Sequence, residues 1–407
     1  MNHTSFKIAA AALAVASALS STAYAGGFQL TEQSALALGR AYAGVGVDGT
    51  DVSGMYYNAA TMTLHPGTQV QFGGVGVGLN LEYVAKDGEK NNGRAKEEVI
   101  PHGFISHQIN DSTWVGLAIT VPYGLATDYG DNWSGKDHGT KAEITVINFN
   151  PNVAWKATDT LSLGAGLALQ YVDATFGVGA NTPIGNIHSE YTATDFTWGF
   201  NVGLMWQPVE NLRFGLSYRS ETKHATNGDL TISGTNGNGQ NSIDGTYNAS
   251  VTVSGPAWAM ATAAWDVNDY LSLYATFRWA DWSSFSSLTT TSNELTTAVY
   301  GVATSNPTLA GRYKAVFDQL KNIDNDWKDT YLMSVGYDLR VNSFWTLRGG
   351  IAYETSPIDD KTKRTAIIPD ADRWWFAIGS SFHWTKDFQT DIGFAHLHGV
   401  HERSLYD

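Results

Sequence analysis

The stretch Leu161-Ser162-Leu163-Gly164-Ala165-Gly166-Leu167-Ala168-Leu169-Gln170-Tyr171 decides the fold. Successive side chains of an extended chain point to opposite faces. One face therefore collects Leu161, Leu163, Ala165, Leu167, Leu169 and Tyr171, and the other Ser162, Gly164, Gly166, Ala168 and Gln170. The same split sets Leu212, Phe214, Leu216 and Tyr218 against Arg213, Gly215, Ser217 and Arg219. It also sets Leu271, Leu273, Ala275, Phe277 and Trp279 against Ser272, Tyr274, Thr276 and Arg278. One apolar face and one small or polar face is the pattern of a strand with lipid outside and a polar lumen inside. A soluble β-sandwich alternates too, because it also has a wet face. The turns separate the two. Trp155 precedes Leu161, Trp206 precedes Leu212 and Trp265 precedes Leu271 at one fixed spacing, across a short turn containing Asp or Asn. A Trp repeated at one height is an interfacial girdle, which a sandwich does not need.

Working outward, the period of two begins near residue 68, and strands are expected to start near 68, 99, 112, 141, 161, 191, 212, 246, 271, 328, 344, 372 and 388. Tight turns near 110–112, 157–160, 208–211, 267–270, 341–343 and 385–387 alternate with longer connections near 85–98, 126–141, 174–190, 220–246, 283–327 and 355–371. Short inner turns and long outer loops are the habit of outer-membrane barrels. The fold class is thus all-β, an antiparallel transmembrane β-barrel. Thirteen strands are visible, antiparallel closure asks for an even number, and Glu402 to Asp407 lack a terminal aromatic strand.

Three segments are expected. Residues 1–25 carry Lys7, an apolar run from Ile8 to Ala18, and Ala23-Tyr24-Ala25 before Gly26, which reads as a secretory signal with an A-x-A cleavage site. The run is too short for a membrane helix, which needs roughly 20 residues to cross about 30 Å. Residues 26–66 do not alternate, and residues 67–407 form the barrel. Charged residues are only 16% of the chain against 12% aromatic and 42 glycines, where a soluble domain carries about 25% charge. The net charge of −14 with no basic stripe excludes nucleic acid as a partner. The chain has no cysteine, so disulfides and Cys-held metal are excluded.

Within 26–66, Thr31 is expected to cap a short helix to Leu38, and a second helical piece runs from Asp51 to Tyr57, with Asn58 ending it or capping the next turn. Phe28, Leu30, Leu36, Leu38, Tyr42, Met55, Tyr56 and Tyr57 ask for burial. Sixteen or more strands leave an aqueous channel and eight are filled by their own side chains. A barrel of intermediate size needs something in its lumen, so 26–66 is read as a plug. Elsewhere, Pro122 with Gly124 interrupts the outward series Val115, Leu117, Ile119, Val121. Proline breaks a ladder, so the Pro122-Tyr123-Gly124-Leu125 stretch is expected to kink or bulge. The orphaned ladder groups should find partners in the plug, with the Asn58 amide as the nearest polar candidate.

These residues carry a resemblance. Gly27-Phe28-Gln29-Leu30, Gly39-Arg40-Ala41-Tyr42-Ala43-Gly44, Tyr57-Asn58-Ala59-Ala60, Pro122-Tyr123-Gly124-Leu125-Ala126-Thr127 and Ile368-Pro369-Asp370-Ala371-Asp372-Arg373-Trp374 resemble the outer-membrane long-chain fatty acid transporter family (FadL) over essentially the whole mature chain. The resemblance implies a fourteen-stranded barrel in the bacterial outer membrane, with an N-terminal hatch and uptake of fatty acids or, in some branches, aromatic hydrocarbons. It implies that Phe28, Asn58, Ala59 and Ala60 belong to the gate, and that the kink opens a gap in the wall beside it. The family's Asn-Pro-Ala is Asn58-Ala59-Ala60 here, so its turn lacks the stiffening proline. The fourteenth strand is not visible, which fits a truncated or divergent C-terminus.

Other residues receive weaker readings. Leu309, Tyr313, Val316, Phe317 and Leu320 stand at helical spacing in the longest loop and suit capture of an apolar ligand, or packing on their own barrel. Asp372 and Arg373, where a loop re-enters the wall, suit a polar contact with each other, a ligand carboxylate or lipopolysaccharide. His396, His398 and His401 lack a carboxylate at ligand spacing, so no metal is expected, and no cofactor either. Arg213, Arg219, Arg278, Arg340 and Arg348 suit the constriction of a general porin, which a plug would defeat. No motif orients a nucleophile, acid or base as a barrel enzyme would need. The expected partners are a hydrophobic ligand, outer-membrane lipid and lipopolysaccharide, with the chain monomeric and transport passive.

Overall fold

A computed structural model describes residues 26–78, 81–84, 90–93, 98–182, 185–235, 242–285, 287–320, 322–360 and 365–400. The signal segment, His401 and the stretch from Glu402 to Asp407 lie outside the described residues, as does the side chain of Leu320. The wall is one antiparallel sheet: β1 (Thr68–Val77), β2 (Glu98–Asn110), β3 (Thr113–Asp128), β4 (Lys141–Lys156), β5 (Leu161–Thr182), β6 (Gly185–Val209), β7 (Leu212–Arg219, resuming as Thr222–Thr235), β8 (Gly245–Gly255, resuming as Trp258–Asp266), β9 (Leu271–Ala280), β10 (Thr330–Arg340), β11 (Trp345–Glu354), β12 (Arg373–Thr385) and β13 (Phe388–Gly399). Every strand pairs with its sequence neighbour, so the sheet is an unbroken meander from β1 to β13. Among the described residues β1 and β13 do not pair with each other. A cleft of about 650 Å³ lies between them, and plug residues including Leu36 and Val52 line it.

The two faces follow the period of two. Leu163, Leu167, Tyr171, Leu216, Leu273 and Phe277 are exposed on the outside, while Ser162, Ala168, Gln170, Ser217 and Thr276 are buried toward the lumen. Trp155, Trp206 and Trp265 are each about half exposed beside the short turns. Two expected loops are instead strand. Residues 174–190 continue β5 into β6 as a ladder reaching Thr182 and Gly185, and most of 220–246 is the upper part of β7 and the start of β8. Their Thr-, Ser-, Asn- and Gly-rich sequence loses the apolar alternation while backbone pairing persists. The longest connection, after β9, holds two helices, Asn293–Ser305 and Pro307–Leu320.

Residues 26–66 are almost wholly buried within the sheet. The plug contains two four-residue helices, the first at Ala35–Leu38 and the second at Gly54–Tyr57. Ser34, not Thr31, caps the first, accepting from Ala37 N at 3.2 Å. Thr31 is engaged elsewhere: its carbonyl accepts from the Tyr57 hydroxyl at 2.8 Å and its hydroxyl from Arg278 at 2.8 Å. Asn58 ends the second helix and caps a 3₁₀ turn at Ala59–Leu64. Between the helices Ala41 and Tyr42 adopt φ of 50° and 64°, which is uncommon for residues with a Cβ. Hydroxyls of the wall fix this bend, Ser334 donating to Ala41 O at 2.6 Å and Thr276 to Tyr42 O at 3.0 Å.

Candidate functional site

β3 begins as a regular strand. Thr113 to Ile119 ladder with β2, with Val115 and Ile119 outside and Trp114 and Ala118 inside. Pro122 then removes a donor, and the register against β4 slips between Thr120 and Tyr123. The slip turns the strand over. Tyr123, Leu125 and Thr127 are buried inside, where an unbroken period would have put Tyr123 outside with Val115 and Ile119. Pairing with β2 stops at Ile119 although β2 continues back to Glu98. The two strands part there, leaving a notch in the wall.

Buried backbone groups need partners, and at the notch the plug supplies them. Gln33 brackets Val121, its Nε2 donating to Val121 O at 2.7 Å and its Oε1 accepting from Val121 N at 3.1 Å. Leu30 N donates to Pro122 O at 2.8 Å, and Gly124 N donates to Phe28 O at 3.0 Å. The plug's first residues thus act as a short strand in place of β2, with Gln29 opposite Tyr123. A Cβ on Gly124 would lie 2.7 Å from Leu30 Cδ1, so a side chain there would make Leu30 shift.

Asn58 therefore does not meet the kink, contrary to the expectation. It docks three strands further along the wall, donating from Nδ2 to Leu204 O of β6 at 2.9 Å while its Oδ1 accepts from Ala60 N at 3.1 Å. Ala59 and Ala60 are fully buried. A Cβ on Gly164 of β5 would come 2.3 Å from Ala60 N, and one on Gly203 of β6 would come 2.2 Å from Asn58 Oδ1. Glycines on β5 and β6 let the Asn58-Ala59-Ala60 turn press against the wall.

Aromatic rings close the space above the notch. Phe28 packs on Tyr123, Trp282, Phe285 and Trp327 at centroid distances of 5.9, 4.8, 5.6 and 6.3 Å. Across the lumen the Tyr123 hydroxyl donates to Pro256 O, in the break of β8, at 3.2 Å. The cavity beside Tyr56, Trp258 and Leu30 holds about 10 Å³, room for about one water.

The remaining candidates fall as follows. Arg373 is buried, pairs with Glu354 at 2.8 Å and lies over the Trp375 ring, so it faces the lumen and not lipopolysaccharide. Asp372 accepts from Ser356 N at 2.8 Å and from the Tyr353 hydroxyl at 3.2 Å. Tyr313 is fully buried, and Leu309, Val316 and Phe317 pack against the core, so the apolar stripe of the loop helix is turned inward. His396 and His398 are exposed on one face of β13 with rings 6.5 Å apart. Arg213, Arg219, Arg278 and Arg348 reach the interior, whereas Arg340 is exposed beside a tight turn. Gln33 was missed from sequence: a polar residue in an unpatterned segment gives no signal until its partner strand is known.

The sequence model of a family described as outer membrane protein transport protein (OMPP1/FadL/TodX) matches residues 16–404, and the chain belongs to that family. It is similar to the long-chain fatty acid transport protein of Escherichia coli, 27% identical over 95% of this chain and 91% of the relative. The 47 kDa outer membrane protein of Pasteurella multocida is also 27% identical, over 96% and 90%. Among solved structures, a Pseudomonas aeruginosa FadL homologue superposes with a TM-score of 0.73 at 22% identity, covering 91% of this chain and 90% of its own. The Pseudomonas putida toluene transporter TodX gives 0.70 at 16%, covering 90% and 92%. The chain is thus an outer-membrane β-barrel with its N-terminal segment inside.

Proposed function

We propose that this family member carries hydrophobic small molecules, long-chain fatty acids foremost, passively across the outer membrane, and that they leave the lumen through the notch beside Pro122. One observation carries the reading: the backbone groups orphaned by the kink are bonded to Phe28, Leu30 and Gln33 of the plug. A shift of the plug that breaks these bonds opens the wall at the same point. A chain of about fifteen methylenes gains roughly 12 kcal/mol on leaving water, so an apolar route suits it and a water-filled pore does not. The long-chain fatty acid transport proteins to which this chain is similar support that substrate. The ring cluster around Phe28 favours a second reading, an aromatic hydrocarbon, as the name of the toluene transporter suggests. Loop residues Leu309, Tyr313, Val316, Phe317 and Leu320 would then capture ligand only after their helix lifts from the body. We take the chain to be a monomer surrounded by outer-membrane lipid and lipopolysaccharide, with no catalytic role.

Cells producing the protein should take up oleate or toluene faster than a deletion strain, with no gain in sugar permeation and no lipid or peptide hydrolysis. Faster sugar entry with unchanged oleate and toluene uptake would replace this reading with a porin.

A further inference from the structure

The plug begins inside a buried cluster of charges. Glu354, at the end of β11 and 1% exposed, pairs with Arg278 of β9 at 2.7 Å and with Arg373 of β12 at 2.8 Å. Glu32 of the plug and Asp370, just before β12, are buried within electrostatic reach of both Glu354 and Arg373. Among the described residues the cluster thus sets three carboxylates, Glu32, Glu354 and Asp370, against two cations, Arg278 and Arg373. Buried charge without a counter-charge is costly. Burial meets the deficit in part by favouring a proton on Asp370, and a third cation would meet it wholly.

The start of the mature chain stands where that cation is wanted. Gly26 is buried, and a Cβ on it would lie 2.9 Å from Glu354 Oε1. The α-nitrogen, on the same Cα, is about 2.5 Å from that position and so within about 5.4 Å of the carboxylate oxygen. Opposite charges stabilise each other over that range. Two glycines make the placement possible. Gly26 and Gly27 have φ of 75° and 68°, left-handed values that glycine adopts without strain. A Cβ on Gly27 would meet the Trp327 and Trp282 rings at 2.6 and 2.8 Å. Gln29 N closes the turn by donating to Gly26 O at 3.2 Å.

We propose that signal removal before Gly26 leaves an α-ammonium that serves as the third cation of this cluster, so that processing tightens the seat of the plug. Hydrolysis of the Ala25–Gly26 bond takes up one water, leaving a carboxylate on the signal and an amine on Gly26. An α-amine has an ordinary pKa of about 7.7–8.0 and is mostly protonated at neutral pH, whereas the peptide nitrogen of an uncut chain is neutral. The effect reaches the notch, because Phe28, two residues on, accepts from Gly124 N through its carbonyl. Closure of the wall beside Pro122 thereby depends on the chain having been cut at this bond, whatever the ligand is.

The test uses the mature protein purified from outer membranes, whose first residue N-terminal sequencing should report as Gly26. In the folded protein, NMR of nitrogen-labelled Gly26 should show its α-amine titrating above the ordinary range of about 7.7–8.0, since a buried amine without an anionic partner is displaced downward instead. Transamination of the unfolded chain, followed by refolding in detergent, turns the glycine α-amine into a carbonyl, removing the charge without adding bulk. The amides of Gly27 and Phe28 should then exchange about tenfold faster, the effect of one charge-assisted contact. Exchange at Ala60, far along the plug, should not change, which controls for folding. A first residue other than Gly26, an α-amine that titrates below the ordinary range, or equal exchange at Gly27 and Phe28 with and without the charge overturns the proposal. None of these outcomes concerns uptake, so the transport reading stands or falls separately.

Discussion

The plug is held to two nearby stretches of the wall by different physics. Toward β3 it is held by hydrogen bonds: Gln33 to Val121, Leu30 to Pro122 and Gly124 to Phe28. Toward β5 and β6 it is held mainly by fit, with Ala60 against Gly164 and Asn58 against Gly203. Hydrogen bonds exchange with water or ligand at a net cost of about 0.5–1.5 kcal/mol each. Close-packed contacts have no partial substitute, because a gap forfeits them outright. We therefore propose that the β3 side opens while the Asn58 side acts as the pivot.

The largest effect is expected at the pivot. Gly164→Val places a side chain where Ala60 N already stands 2.3 Å from an ideal Cβ, so the Ala59-Ala60 turn must leave the wall. Entry of hydrophilic probes should rise by an order of magnitude or more, and the midpoint of heat-modifiable gel migration should fall, for overpacking costs about 1–3 kcal/mol. Unchanged values of both would mean that the turn yields easily and is no pivot.

A smaller effect belongs to the opening side. Gln33→Leu leaves the Val121 N–H and C=O without their present partners, at about 1–3 kcal/mol for each group that stays buried. Amide exchange at Val121 should accelerate by roughly tenfold or more, with the barrel otherwise stable. If exchange is unaltered, Gln33 does not hold the notch.

The smallest concerns the end of the plug. Gly27 N donates to Asp370 at 3.3 Å, and burial pushes the Asp370 carboxyl up to about 7, against the opposing pull of Arg373. An acid raised in this way binds more protons folded than unfolded. Its stabilising contribution is complete below the ordinary carboxyl range and declines as pH rises toward 7. Docking of Gly27 and Phe28, followed by exchange of their amides, should be a few-fold weaker at pH 8 than at pH 5, and Asp370→Asn should flatten the profile. A steeper profile in the asparagine variant would assign the dependence to another group.

Much of this was legible in the sequence, for physical reasons that differ by region. Where lipid faces the wall, alternation must be kept, so all thirteen strands and the Trp155, Trp206 and Trp265 girdle could be read. The tops of β5 through β8 turn their few apolar residues, such as Ile187, Ile232 and Val251, inward and polar residues outward, so the lipid-facing alternation is lost and they read as loops. Pro122 announced the kink because proline cannot ladder. Its partners did not show, since Gln33 and Leu30 lie in a segment whose shape is dictated by the wall. Asn58 was assigned to the kink for lack of any cue to which wall it faced.

On the proposed mechanism the plug must part from β3 for ligand to pass. Gln29 and Tyr123 face each other as a pair that does not exchange hydrogen bonds, since their neighbours do. Such a pair brings Cα atoms to about 4.5 Å, within the range a disulfide spans, and the chain has no cysteine to interfere. In a Gln29→Cys, Tyr123→Cys variant, oxidation should stop oleate uptake and a reductant should restore it. Oleate uptake by the fully cross-linked protein at the rate of its reduced form would contradict the account.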